Sequence, residues 1–170
     1  MDLKKFIRDV PDFPIPGILF RDITPLLGNP AAFQQVLDRL EAAARAASAG
    51  AIVAVESRGF IFAGPLADRL RLPFVPVRKP GKLPATHMSV EYSLEYGNNQ
   101  LDIHADALAM NARVFIVDDL LATGGTAKAT AKLVELVGGV VAGFGFVVEL
   151  ADLNGRASLG GYEITSVLRY

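Results

Sequence analysis

The sequence predicts an α/β protein built on a parallel sheet with helices on both faces. Three observations carry this. Short, uninterrupted apolar runs recur, among them AIVAV (51–55), PFVPV (73–77) and VFIVD (114–118). Stretches of helical periodicity separate them. Two polar segments, ESRGF (56–60) and DDLLATGGT (118–126), directly follow apolar runs. Strands buried on both faces read as continuous apolar runs, and parallel strands need crossovers, usually helices.

The elements follow in order. Residues 10–30 are rich in Pro and Gly and are expected to be irregular. Asn29 and Pro30 read as a helix N-cap and first helical residue. Phe33, Val36, Leu37, Leu40 and Ala44 then recur at helical spacing, with an end near Gly50. AIVAV is the first buried strand, residues 61–70 a helix and PFVPV the next strand. SVEYSLEYGNNQLDIH (89–104) breaks the rhythm. Val90, Tyr92, Leu94 and Tyr96 alternate with Ser89, Glu91, Ser93 and Glu95, GNN follows, and Leu101 and Ile103 resume the alternation. That pattern predicts an inserted two-stranded hairpin, either a flap over a site or a plain edge hairpin. VFIVD, a helix over 126–137 closed by Gly138 and Gly139, VVAGFGFVVEL (140–150) and EITSVLRY (163–170) complete the sheet.

A chain of 170 residues is ordinarily one domain, here 1–170, long enough to bury roughly 70% of its unfolded surface. It is 51% hydrophobic, with a mean hydropathy of +0.34, so a large core is expected rather than disorder. The net charge of -1 supplies no global field for nucleic acid or membrane, and neither partner is expected. The absence of cysteine excludes disulfides, thiolate metal sites and thiol catalysis. MDLKKFIRDVPDFP lacks the apolar centre of a secretory leader. The uncharged apolar run 136–148 falls short of the ~20 residues of a spanning helix and is interrupted by glycines. A cytoplasmic location is the expectation.

VFIVDDLLATGGTAKAT (114–130) carries the chemistry. It lacks the Gly-Lys-Ser/Thr ending of a P-loop and the spaced glycines of a dinucleotide fingerprint. The amides of Ala122, Thr123, Gly124, Gly125 and Thr126, with two threonine hydroxyls, open a helix and suit a phosphate. Asp118 and Asp119 would repel that phosphate, so they must face other groups. Carboxylates accept hydrogen bonds, and a vicinal diol donates two. The stretch therefore suits a ribose phosphate. The plainer alternative is that the acids only cap the next helix.

VFIVDDLLATGGT resembles the phosphoribosyl pyrophosphate signature of the type I phosphoribosyltransferases. FPIPGILFRDITPLL, ESRGFIF, VRKPGKLP and YSLEYG, in that order, resemble segments of the adenine phosphoribosyltransferases, and the likeness covers about Phe13 to Leu150. It implies the type I fold, with an N-terminal base-binding hood and the hairpin as a flap. It also implies transfer of a phosphoribosyl group to adenine, giving AMP and pyrophosphate, with Mg2+ held mainly by substrate oxygens and water. A homodimer is implied as well.

By the same resemblance, Asp118 and Asp119 hold the ribose hydroxyls and 122–126 the ribose phosphate. Ser57, Arg58 and Gly59 hold pyrophosphate with Arg78, Lys79 and Lys82, while Leu19, Phe20 and Arg21 shape the base pocket. Hypoxanthine–guanine relatives place an aspartate at the position of Ala122, whose methyl group moves no proton. Glu95 is the family's candidate instead, with Glu91 as its rival. His87 and His104 are read as incidental. Two other readings are a non-catalytic purine or phosphoribosyl pyrophosphate sensor and a xanthine phosphoribosyltransferase. The first would carry an added basic, nucleic-acid-binding segment, and the second would lack FRDITPLL and SLEYG.

Overall fold

The computed structural model describes residues 1–94 and 97–170 and divides into two compact units, Met1–Arg39 and Leu40–Tyr170. In the first unit, a 3-10 turn at Leu3–Phe6 leads into β1 (Arg8–Val10), which pairs antiparallel with β2 (Phe20–Asp22). The segment between them is folded back by two bonds. Gly17 N donates to Asp12 Oδ1 at 2.8 Å, and Phe13 N donates to Ile18 O at 3.1 Å.

α1 (Thr24–Leu27) follows. Asp22 starts it by accepting from the amide and the hydroxyl of Thr24 at 2.9 and 2.8 Å, and those bonds hold the Asp22 carboxyl below its usual range. The expectation of irregular backbone over 10–30 holds for 11–19 and is corrected at 20–22 and 24–27. Pairing between three-residue strands ten residues apart leaves no periodicity for a sequence to display. α2 (Pro30–Ala46) runs across the division between the units, and Asn29 Oδ1 accepts from Ala32 N at 2.9 Å, the N-cap expected.

The second unit contains β3 (Ala51–Val55), α3 (Arg58–Leu70), β4 (Phe74–Val77), β5 (His87–Leu94), β6 (Gly97–His104), β7 (Arg113–Leu121), α4 (Gly125–Leu136), β8 (Val140–Glu149), α5 (Gly155–Ser158) and β9 (Ile164–Arg169). Five strands form a wholly parallel sheet in the order β4-β3-β7-β8-β9. Every residue of β3 is buried, as its apolar run requires. Gly145 shows how tightly the sheet is covered: a Cβ there would stand 2.7 Å from Phe115 Cε1 and 2.8 Å from Leu40 Cδ2.

Two boundaries differ from the sequence reading in a way that matters for the site. α3 starts at Arg58, not residue 61, so Arg58 and Gly59 belong to its first turn. β7 continues past Asp118 to Leu121. It stays paired with β8 as far as Leu121↔Glu149, whereas β3 stops pairing with it at Val117. The acids therefore stand where β7 has lost one neighbour and kept the other.

β5 and β6 form the antiparallel hairpin, from His87↔His104 to Leu94↔Gly97. Gly97, Asn98 and Asn99 lie within β6, so GNN is strand and not the turn that its composition suggests. The hairpin's inner face is core: Val90, Leu101 and Ile103 are buried in one cluster with Ala127 and Ala131 of α4.

Candidate active site

The connection from β3 leads outward to β4 and that from β7 leads the opposite way to β8, and an open parallel sheet leaves a crevice between two such strands. A cavity of about 330 Å³ opens there, lined by residues following β3 and by the end of β7 with its loop. Both flanking helices begin at its rim. Ser57 precedes α3 without a side-chain capping bond, which leaves its hydroxyl available. Gly124 precedes α4 at φ 86°, a left-handed backbone that glycine adopts without steric cost. The first amides of each helix lack intrahelical acceptors and carry partial positive charge. One cavity thus receives two anion-binding helix ends.

Asp118 and Asp119 line the same cavity. Asp119 is 4% exposed, and its Oδ2 lies 3.1 Å from Arg58 Nε. Asp118 Oδ1 accepts from Asp119 N at 2.9 Å. Burial pushes the Asp118 carboxyl well up, and the adjacent Asp119 charge adds to that; Arg58 offsets part of it. Burial also raises Asp119, with Arg58 opposing. Two crowded acids, one already paired, need hydroxyl donors or a cation to be satisfied as anions. Gly59 contributes by close approach: a Cβ would stand 3.0 Å from Asp118 Oδ1 and 3.1 Å from Val117 O.

Arg78, Lys82 and the Lys79 amide are gathered by Glu56, a residue the sequence reading did not single out. Its carboxylate accepts from Lys82 Nζ at 2.8 Å, Lys79 N at 2.7 Å and Arg78 Nη2 at 3.4 Å. Burial raises the Glu56 carboxyl, yet Lys82, the Lys79 amide and Arg78 outweigh it and hold it at about 2. Of the three cations Lys79 lines the cavity; Arg78 and Lys82 flank it through Glu56. Only the position of Glu56, immediately before SRGF, could have drawn attention to it.

The loop at 122–126 is braced from the C-terminal segment, which the sequence reading passed over. Ser158 Oγ donates to Thr123 O at 2.8 Å. A Cβ on Gly155 would stand 2.3 Å from Ala122 O, and one on Gly124 2.7 Å from Gly155 O. Arg156 secures that segment by a two-pronged bond to Glu149, 2.8 Å on each prong. No spacing in the sequence announces this brace, because it joins elements thirty residues apart.

On the hairpin, Tyr92, Asn99 and Leu101 line the cavity, whereas Glu91 is exposed and outside its lining. Glu95 lies outside the described residues. His87 and His104 face each other at the base of the hairpin and are not among the cavity-lining residues. Leu19, Phe20 and Arg21 belong to the first unit. Phe20 meets Phe13 edge-on at 5.1 Å, Arg21 pairs with Asp9, and Leu19 is exposed.

Among the described residues, no group of three or more His, Asp or Glu side chains is placed to hold a metal ion. Three carboxylates line the cavity: Glu56, engaged by Lys82, Arg78 and the Lys79 amide, Asp119, engaged by Arg58, and Asp118. That set suits a hard cation taking most of its ligands from substrate oxygens and water.

A model of the phosphoribosyl transferase domain matches residues 26–157. An adenine phosphoribosyltransferase of Gloeobacter violaceus is 60% identical over 159 residues, 94% of this chain and 93% of that one. One from Microcystis aeruginosa is 55% identical over the whole of both. Among solved structures, the adenine phosphoribosyltransferase of Thermoanaerobacter pseudethanolicus superposes with a TM-score of 0.96 at 52% identity, over 99% of this chain and 98% of that one. The Saccharomyces cerevisiae enzyme, complexed with an imino-altritol bisphosphate and adenine, gives 0.93 at 39% identity over 98% and 97%.

Proposed function

This chain belongs to the adenine phosphoribosyltransferase family, and from that premise we propose that the cavity between β3 and β7 carries out the family's reaction. The enzyme transfers the phosphoribosyl group of phosphoribosyl pyrophosphate to adenine, yielding AMP and pyrophosphate, a step of purine salvage. The observation that supports this site is two helix N-termini and a pair of carboxylates on one cavity. A sugar bearing phosphates at both ends and hydroxyls between them needs that arrangement.

In this reading the amides of 122–126 and the hydroxyls of Thr123 and Thr126 hold the ribose phosphate. Asp118 and Asp119 accept from the ribose hydroxyls. Ser57, Arg58, Gly59 and Lys79 take pyrophosphate, and Arg78 and Lys82 add positive charge beside them. Leu19, Phe20 and Arg21 receive the base, with backbone groups on its edge and the Phe20 ring on its face. The anomeric carbon loses its bond to the pyrophosphate oxygen and gains one to adenine N9, while the N9 proton leaves to Glu95. Donors fixed before the reaction stabilise the departing charge at no cost in reorganisation, and a placed carboxylate base contributes typically ~10²–10⁴-fold.

Asp118 and Asp119 are the residues that would adjoin Mg2+. Held there, such an ion would supply positive charge for the departing pyrophosphate. We take residues 1–170 as one catalytic domain acting as a homodimer in the cytoplasm. None of the described helices is long and apolar enough to cross a membrane.

The test offers adenine, hypoxanthine, guanine and xanthine separately, with phosphoribosyl pyrophosphate and Mg2+. Nucleotide from adenine alone supports the assignment, and nucleotide chiefly from xanthine overturns the base specificity. Binding of phosphoribosyl pyrophosphate without product from any base would favour the sensor. Glu95→Gln should lower kcat ~100-fold or more with ribose-phosphate affinity intact; unchanged turnover removes Glu95 from the reaction.

A further inference from the structure

We propose that Tyr92 is a positioning residue of the ribose-phosphate subsite, acting through the hydroxyl of Thr126. The inference rests on the assignment of that subsite to residues 122–126. Tyr92 Oη lies 3.4 Å from Thr126 Oγ1, and both residues line the cavity.

The direction of that bond follows from donor counting. A threonine hydroxyl has one hydrogen and two lone pairs, and a phosphate at neutral pH offers chiefly acceptors. Without ligand, either hydroxyl can donate to the other. Once a phosphate occupies the loop, Thr126 must spend its hydrogen on it, and its oxygen is left to accept from Tyr92. The result is a chain from phenol to threonine to phosphate in which each bond polarises the next. A separation of 3.4 Å is long for O–H···O, so the bond has room to shorten as the anion polarises Thr126.

Both partners are held from behind. Thr126 lies in the first turn of α4, and its carbonyl accepts from Thr130 Oγ1 at 2.8 Å. Tyr92 packs against the cluster containing Val90 and Leu101 and stands opposite Asn99 in the ladder. The hairpin therefore does more than cover the cavity: its strands present a phenol that fixes the orientation of a phosphate-binding hydroxyl.

The test is titration calorimetry with ribose 5-phosphate and, separately, pyrophosphate, on the wild type, Tyr92→Phe, Thr126→Val and the double variant. Loss of one hydrogen bond should weaken ribose 5-phosphate ~3–10-fold in Tyr92→Phe, with pyrophosphate binding within twofold and the melting temperature unchanged. In the Thr126→Val background the same substitution should cost almost nothing. Unchanged ribose 5-phosphate affinity in Tyr92→Phe, an equal loss for pyrophosphate, or a full loss that persists without the Thr126 hydroxyl would each overturn the proposal. Wild-type protein that fails to bind ribose 5-phosphate would instead overturn the subsite assignment itself.

Discussion

Replacing Glu56 with Gln removes one negative charge while keeping the side chain's shape. The folded protein holds this carboxyl at about 2, against an ordinary value of 4.5. Each tenfold shift in proton affinity corresponds to ~1.4 kcal/mol, so the full preference of the ionised form for the fold amounts to about 3 kcal/mol. That figure must be reduced. The Glu56 side chain is 8% exposed, but Lys82 is 46% exposed and Arg78 34%, and water screens their charges. An expected loss of ~1–2 kcal/mol remains, or ~2–8 °C in melting temperature for a protein of this size.

The sign of its pH dependence follows from the depressed value. The contribution is present above 4.5 and is lost as pH falls toward 2. Urea denaturation of the wild type and Glu56→Gln, at neutral pH and again below pH 4.5, should show a difference that shrinks on acidification. A constant difference, or none at neutral pH, would refute the idea that Glu56 gathers these cations as an anion.

Asp118→Asn should raise the melting temperature at neutral pH. A carboxyl whose folded value is raised contributes fully below its unfolded value and has lost that contribution once pH has risen through the folded one. The same variant should bind ribose 5-phosphate roughly 10–100-fold more weakly, as for lost bonds to a charged group; paired calorimetry and melting curves would check both directions. Gly124→Ala meets a left-handed backbone and a carbonyl 2.7 Å from the new Cβ. It should cost about 1–2 kcal/mol for the backbone and ~1–3 kcal/mol for the overlap, read by urea midpoint, with ribose 5-phosphate binding lost. Arg156→Met leaves the Glu149 carboxylate, 3% exposed, with Arg169 at 3.2 Å. The expected cost is ~2–4 kcal/mol, with a raised KM for phosphoribosyl pyrophosphate. Because Arg156 and Arg169 hold Glu149 low, that stability defect should narrow toward acid pH.

The sequence by itself determined the class of the fold and the nature of the ligand. AIVAV and VFIVD, short and rich in β-branched residues with no alternation to mark an exposed side, read as strands covered on both faces. Asp118 and Asp119 beside a loop of small residues suit a ligand with hydroxyls and a phosphate. Tertiary structure decided what these residues answer to. Glu56 holds Arg78, Lys82 and the Lys79 amide across 22 to 26 residues of chain, and Ser158 ties the loop at 122–126 from 35 residues away. β7 runs past its acids because β8 stays paired with it there after β3 has left. Periodicity and local composition report how a segment meets solvent and its near neighbours. They carry no record of which distant carbonyl, carboxylate or hydroxyl the fold brings within three ångströms, and much of what fixes this site is built from those distant contacts.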